Sequence, residues 1–116
     1  MEWLPSVMDE HGTAARTIWL MHEPPAGTGL STAITANVEW ATAVRRFQPR
    51  LVVSGRDHQT PLRTRRWHAK VGRTVCVNTG QARKPPLHYA VIECSETGEP
   101  ARIEVPAVGP TGVLDL

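Results

Sequence analysis

The chain has 116 residues, of which 41% are hydrophobic, and a formal net charge of +2. That length accommodates one small domain with a buried core, or a piece of a larger domain, and excludes two complete domains. No apolar run approaches the ~18 residues of a membrane span and the first residues lack a signal-peptide pattern, so we expect a cytoplasmic protein without membrane contact.

The first predicted strand follows a weakly patterned lead-in at residues 1–15. Residues 17–21 form a continuous apolar run, which is typical of a strand buried on both faces. This run ends at His22. Pro24 and Pro25 then keep the residues before them out of helical conformation, so we expect the strand to open into a loop.

A helix and a second strand follow this loop. Apolar residues recur at helical spacing from Trp40 to Phe47, which predicts an amphipathic helix over residues 37–48. Residues 51–54 form another short apolar run that ends at Gly55. Strand, helix and strand in this order indicate a βαβ unit.

Antiparallel strands are expected in the rest of the chain. Residues 65–71 alternate in polarity, Gly72-Arg73 fits a two-residue turn, and residues 74–77 form the next strand, which ends at Asn78-Thr79-Gly80. The remaining expected segments are a loop at residues 55–62, strands at residues 87–93 and 102–105, and a Pro/Gly-rich tail at residues 106–116.

The middle of the chain is strongly basic. Nine of the 13 basic residues lie between positions 45 and 73, where Asp57 is the one acid, so the local balance is +8. They are Arg45, Arg46, Arg50, Arg56, Arg63, Arg65, Arg66, Lys70 and Arg73. This segment favours phosphate-bearing ligands. It does not by itself establish nucleic-acid binding, since a solvated helix face and a charged edge strand have the same composition.

His22 and the segment from Gly55 to His58 each follow a predicted strand of the βαβ unit. The strands of such a unit are parallel, so their carboxyl ends lie at the same edge of the sheet. Neighbouring strands are about 4.8 Å apart, and imidazoles from both can reach one metal ion. The spacing therefore permits a metal site at this edge.

Three segments in chain order resemble motifs of the calcineurin-like metallophosphoesterases. They are Leu20 to Pro25, Val52 to His58 and Val75 to Gly80, within a resemblance that covers residues 16 to about 94. The resemblance implies an α/β fold that is the C-terminal half of a layered αββα sandwich, with one βαβ unit followed by antiparallel strands over residues 16–105. It also implies hydrolysis of phosphomonoesters or phosphodiesters with two divalent metals, Mn, Fe or Zn.

The resemblance assigns His22 and His58 as metal ligands. Arg56 stands where the family has another ligand, and a guanidinium cannot ligate a metal because it offers no lone pair. Two interpretations of Arg56 stay open: it holds a substrate phosphate, or it marks a degenerate site. The expected loop at the site edge contains Gly55, Asn78 and Gly80, and the catalytic residues stay unassigned.

The carboxylate-bearing motifs that the family has upstream are not found in order in this sequence. Asp9-Glu10-His11 spells one of them, but ten residues separate His11 from His22, too few for the intervening motifs. We therefore expect at most a weak or partial metal site and no hydrolysis by this chain alone. The resemblance thus leaves two hypotheses open: the chain is part of a metal-dependent phosphoesterase, or it is a truncated or degenerate relative that binds phosphate-containing ligands or a protein partner.

An incomplete sandwich is expected to leave an apolar sheet face uncovered. The candidates for this face are Val75, Val77, Tyr89 and Val91. A large apolar patch recruits a partner, so we expect self-association or docking of a missing N-terminal half.

Overall fold

The computed structural model describes residues 3–11 and 16–116, and its fold is mixed α/β with two sheets. The elements in chain order are α1 (Leu4–His11), β1 (Ile18–Leu20), α2 (Val38–Phe47), β2 (Leu51–Ser54), α3 (Thr60–Thr64), β3 (His68–Val71), β4 (Thr74–Asn78), β5 (Val91–Cys94), β6 (Pro100–Glu104), a 3₁₀ turn (Pro106–Val108) and β7 (Val113–Asp115). No helix in these two ranges is long and apolar enough to cross a membrane.

The βαβ unit predicted from the sequence is present as β1, α2 and β2. β1 pairs in parallel with β2, with Ile18 opposite Leu51. Helix α2 begins after Asn37, whose side chain accepts a hydrogen bond of 2.8 Å from the Trp40 N–H and so satisfies one free donor of the first turn. The helix ends at Gln48, which has a left-handed backbone with φ of 52°.

The first sheet has four strands in the order β1-β2-β4-β3. β2 and β4 are parallel, and β3 and β4 form an antiparallel hairpin through the predicted turn at Gly72-Arg73. Gly72 has φ of +60°, which the tight turn needs and which a side chain would disfavour. The carboxyl ends of β1, β2 and β4 therefore lie along one edge of this sheet.

Side-chain alternation along β2 and β4 divides the core into two. One core lies between α1, α2 and the four-stranded sheet, and its buried residues are Leu4, Met8, Trp19, Leu30, Ala43, Val44, Val52 and Cys76. The other lies between the two sheets, and its buried residues are Leu51, Trp67, Val75, Val77, Ile103 and Val105. The layers are thus helices, four-stranded sheet and three-stranded sheet.

The predicted lead-in and tail both contain regular structure. In the lead-in, α1 buries Leu4 and Met8, which are 4% and 9% exposed. In the tail, β7 pairs with β6, with Leu114 opposite Ile103, and completes an antiparallel sheet in the order β5-β6-β7. A strand of three residues is too short to show a periodic pattern, which is why the tail did not suggest one.

The uncovered apolar surface differs from the one that the sequence predicted. Val75 and Val77 are 5% and 0% exposed because the second sheet covers them, whereas Tyr89 and Val91 are exposed as expected. Among the large hydrophobic residues of the described strands, Leu20 in β1 is the most exposed, at 79%. Leu20 lies opposite Val53 and on the same face, so the second sheet covers β2 and β4 but does not extend over β1.

Candidate functional site

The loops after β1 and β2 touch at the carboxyl edge of the four-stranded sheet. The N–H of Gly55 donates a hydrogen bond of 3.1 Å to the carbonyl of His22, and the N–H of Met21 donates one of 3.0 Å to the carbonyl of Val53. The side chains of His22 and His58 are both exposed. The topology thus brings the two predicted histidine loops together at one edge.

Arg56 occupies a tight turn between these histidines. The N–H of Asp57 donates a hydrogen bond of 2.7 Å to the carbonyl of Gly55, and Arg56 between them has φ of +59°. A left-handed backbone is unfavourable for a residue with a Cβ. The Arg56 guanidinium contacts the Glu23 carboxylate, with Nη1 2.7 Å from Oε2. The charge of Arg56 is therefore engaged in an ion pair with Glu23, and both side chains of this pair are partly exposed.

Asp57 is the most heavily hydrogen-bonded side chain of the edge. Its carboxylate accepts bonds from the Thr32 N–H, the Thr35 hydroxyl, the Gln59 N–H and both the N–H and the hydroxyl of Thr60, at 2.7–3.2 Å. Burial by itself raises the pKa of this carboxyl, but the donors on Thr60, Thr32 and Thr35 outweigh it and hold the pKa of Asp57 well below its usual value. Asp57 is ionised and links two loops.

Asn78 joins the end of β4 to both of these loops. Its side-chain amide donates bonds of 2.9 Å to the carbonyls of Leu30 and Asp57, and its side-chain oxygen accepts one of 3.1 Å from the Gly80 N–H. Asn78 is 1% exposed, so its polar atoms depend on these partners. The Asn-x-Gly segment therefore acts as a structural support of the edge.

Gly80 lies against the backbone of His58. Its φ is +66°, and a Cβ at this position would stand 2.8 Å from the His58 carbonyl oxygen. The same carbonyl accepts a hydrogen bond of 2.9 Å from the Gln81 N–H. The segment after β4 thus holds the backbone of His58 in place. At Gly55, in contrast, φ is not positive and a Cβ would have ordinary space.

The sequence analysis predicted a loop at residues 55–62 and so did not predict helix α3 or the hydrogen bonds around Asp57. A local pattern could have indicated the helix start: an acceptor side chain ahead of a helix and a proline in its first turn are typical of one, and here they are Asp57 and Pro61, on either side of Thr60. Pro61 lies in the first turn of α3, and Asp57 accepts from the Thr60 N–H. A helix of five residues has no apolar period that would indicate it.

The metal-ligating side chains at this edge do not by themselves form a two-metal centre. Glu23 is bonded to Arg56, and Asp57 is buried and engaged with its five donors. Within the described ranges, no three His, Cys, Asp or Glu side chains form a group that could hold a metal ion. The side chains of Asp9 to His11 lie outside the described residues. Two imidazoles, His22 and His58, are left as exposed ligand candidates.

A shallow cavity of about 410 Å³ opens beside Arg56 and His58. Its lining residues are Thr32, Thr35, Arg56, Asp57, His58, Gln59, Thr60 and Arg63. The guanidinium of Arg63 donates to the Thr60 hydroxyl at 3.4 Å and has no ion pair with a carboxylate among the described residues. The cavity therefore has two cationic side chains, while the hydroxyls of Thr35 and Thr60 in its lining already donate to Asp57.

The basic segment of the sequence is divided between the two ends of the sheet. Arg45 and Arg46 lie in the last turn of α2, and Arg50 and Arg73 precede β2 and β4, at the opposite end from the histidines. The basic residues beyond β2 and before β3 are Arg56, Arg63, Arg65 and Arg66. The fold thus separates the sequence cluster, and no continuous patch contains all nine charges.

Comparisons with known proteins give no match: no family model, no curated protein and no solved structure is similar to this chain.

Proposed function

We propose that this chain supplies the His22 and His58 loops of a divalent-metal-dependent phosphoesterase site, and that the carboxylate ligands come from a segment other than the described residues. The observation that carries the proposal is the hydrogen bond from the Gly55 N–H to the His22 carbonyl, because it holds the two histidine loops together. The expected substrates are phosphomonoesters or phosphodiesters, the expected metals are Mn, Fe or Zn, and the expected location is the cytoplasm.

The layer order and the three motif segments support the same proposal. Helices, a four-stranded sheet and a three-stranded sheet are three of the layers that an αββα metallophosphoesterase sandwich has. The exposed face of β1, with Leu20 at 79% exposure, is a surface that further strands of the second sheet would cover in such a sandwich. On this proposal the chain is the C-terminal half of such a domain.

Metal titration of the purified chain tests this function. We expect weak zinc binding by calorimetry, and we expect His22→Ala and His58→Ala each to abolish it, because a single imidazole is a poor metal site. His68→Ala is the matched control, since His68 lies on β3, two strands away from β2. Unchanged zinc binding in both edge variants would show that the two imidazoles do not converge, and the proposal would fail.

Hydrolysis assays separate a partial site from a self-sufficient one. We expect no manganese-stimulated hydrolysis of p-nitrophenyl phosphate by this chain, because the two described carboxylates of the edge, Glu23 and Asp57, already have partners and neither is free to bridge two metals. Turnover that disappears in His58→Ala would contradict this expectation and show that the chain holds a complete site.

The cavity beside Arg63 favours a second candidate function, metal-free binding of a phosphate group by a non-catalytic relative. Arg63 has no carboxylate partner in the described part of the chain, and a guanidinium pairs with two phosphate oxygens at once. Arg56 would have to exchange Glu23 for the ligand. Titration with inorganic phosphate, followed by NMR of the Gln59 and Thr60 amides, tests this function, and Arg63→Gln is expected to abolish the shifts.

A further inference from the structure

The strand β3 forms a free edge of the four-stranded sheet. In the order β1-β2-β4-β3 it has a neighbour on one side, and residues 68–71 pair with residues 77–74 of β4. The two-residue turn at Gly72-Arg73 makes Val71 and Thr74 a hydrogen-bonded pair. At the other end of the hairpin, the Asn78 N–H donates a hydrogen bond of 2.9 Å to the Trp67 carbonyl.

The backbone groups of His68 and Lys70 therefore point away from β4. Hydrogen-bonded and non-bonded pairs alternate along an antiparallel ladder, so the strand residues Val71 and Ala69 bond to β4 and the residues between them face the free edge. In the described part of the chain, the N–H and C=O groups of His68 and Lys70 have no partner outside the ladder. Two donors and two acceptors are thus available to an added strand.

A cleft of about 730 Å³ lies beside this free edge. The residues that line it include Thr28, Arg65, Arg66, His68, Lys70 and Thr111. Trp67 also lines it but is 4% exposed, and its indole N–H donates to the Thr111 carbonyl at 3.4 Å. Since Trp67 is nearly buried, it offers no free face on which a base could stack.

The charges of the cleft are unbalanced. Arg65, Arg66 and Lys70 are exposed, none of them forms an ion pair within the described ranges, and none of the described lining residues carries a carboxylate. Arg66 packs against the loop after β1, where a Cβ on Gly29 would lie 3.1 Å from its Nη1. Burial, and then the nearby Arg66 charge, lower the pKa of His68, so we do not count it among the cations of the cleft.

We propose that the free edge of β3 binds an extended acidic peptide segment of a partner protein, which adds to the sheet as a fifth strand. Main-chain hydrogen bonds to His68 and Lys70 hold the segment, and its carboxylates pair with the unmatched cations of the cleft. A nucleic-acid strand would use the same charges but has no peptide groups to match the free N–H and C=O groups. The proposal is independent of the phosphoesterase role, which concerns the loops after β1 and β2.

Titration with a synthetic peptide of alternating Glu and Val residues tests this proposal. We expect saturable binding, and we expect hydrogen exchange of the His68 and Lys70 amides to slow when the peptide is bound. Lys70→Glu is expected to weaken binding about tenfold, because one attraction becomes a repulsion beside the added strand. Arg45→Glu is the matched control: it is an exposed arginine in the last turn of α2, and its reversal should change the affinity less than about twofold.

Changes in the peptide keep the test decisive if a protein variant fails to fold. The same peptide N-methylated at alternate residues keeps its charge but loses one row of donors, so it should bind about tenfold more weakly. Equal binding of the methylated and unmethylated peptides would overturn strand addition. Tighter binding of an oligo-dT strand, with no protection of the two amides, would also overturn the proposal and indicate a simple polyanion site.

Discussion

The side-chain amide of Asn78 donates a hydrogen bond of 2.9 Å to the backbone carbonyl of Asp57, a residue 21 positions earlier in the chain. The Asp57 carboxylate in turn accepts bonds from Thr32 and Thr35 in the loop after β1. These two buried residues therefore connect the loops that follow β1, β2 and β4. The backbone positions of the exposed His22 and His58 at this edge depend on these hydrogen bonds.

Asp57→Asn should lower the free energy of unfolding by about 2 kcal/mol, because the new amide group turns one acceptor oxygen into a donor that faces other donors. Urea unfolding at pH 7 measures this loss. Asp115→Asn is the control, since Asp115 is an exposed carboxylate on β7, and its change should stay within about 0.5 kcal/mol. Equal losses in the two variants would show that the Asp57 network does not stabilise the fold.

The same carboxylate predicts a pH dependence of stability. Since the pKa of Asp57 is lowered in the folded state, its stabilisation is fully present above the usual value of 3.8 and is lost as pH falls below it towards the folded pKa. The unfolding free energy of the parent should therefore fall more steeply between about pH 4 and pH 2 than that of Asp57→Asn. Parallel pH profiles from urea unfolding would contradict the assignment.

Gly80→Ala should destabilise the protein by about 2 kcal/mol or more, because the added Cβ meets the His58 carbonyl oxygen at 2.8 Å and the backbone has φ of +66°. Gly98→Ala separates the two causes, since Gly98 has φ of +84° and a Cβ there meets nothing within 4 Å. Its cost should be about 1 kcal/mol from the backbone alone. Thermal or urea unfolding of both variants measures the difference, and equal costs would exclude a steric role for Gly80.

Arg56→His should raise the affinity for zinc at the carboxyl edge. The substitution removes a cation, releases Glu23 from its 2.7 Å ion pair and adds a third imidazole near His22 and His58. Histidine also adopts the left-handed backbone of position 56 more readily than most residues. Calorimetry should show a gain in zinc affinity of tenfold or more over the parent, which corresponds to about 1.4 kcal/mol or more.

Arg56→Gln is the control for that gain, because it removes the same charge without supplying an imidazole. A gain of equal size in both variants would show that electrostatics alone is responsible. No gain in a folded Arg56→His protein would mean that position 56 and the two histidines do not converge.

Leu20→Lys should reduce the binding of a hydrophobic dye and any self-association without loss of stability. Leu20 is 79% exposed on the face of β1 that the second sheet leaves uncovered, so a charge there costs little in the monomer. Fluorescence with the dye and sedimentation measure the two effects. Ile34→Lys is the control, since Ile34 is 88% exposed and lies outside the sheets. An equal effect of both variants would show that the exposed face of β1 is not the surface that binds the dye or mediates self-association.

Local patterns were sufficient to predict the βαβ unit and the following hairpin. The apolar runs of β1 and β2, the helical spacing in α2 and the Gly72-Arg73 turn are each determined by neighbours in sequence, through backbone preference and amphipathic period. The common edge of His22 and His58 followed from them, because a parallel pair of strands leaves little freedom in where the strand ends lie.

Contacts between distant residues decided the rest. The sequence analysis predicted that Val75 and Val77 lie on an uncovered sheet face, but a second sheet buries them. That sheet includes β7, a strand of three residues that is stabilised by its pairing with β6. Likewise the pairing of Arg56 with Glu23 and the bonds from Thr32 and Thr35 to Asp57 join residues 22 to 33 positions apart. These contacts depend on how the loops pack against each other in the tertiary structure. Secondary-structure propensity and hydrophobic periodicity do not predict them, because both depend on residues close together in the sequence.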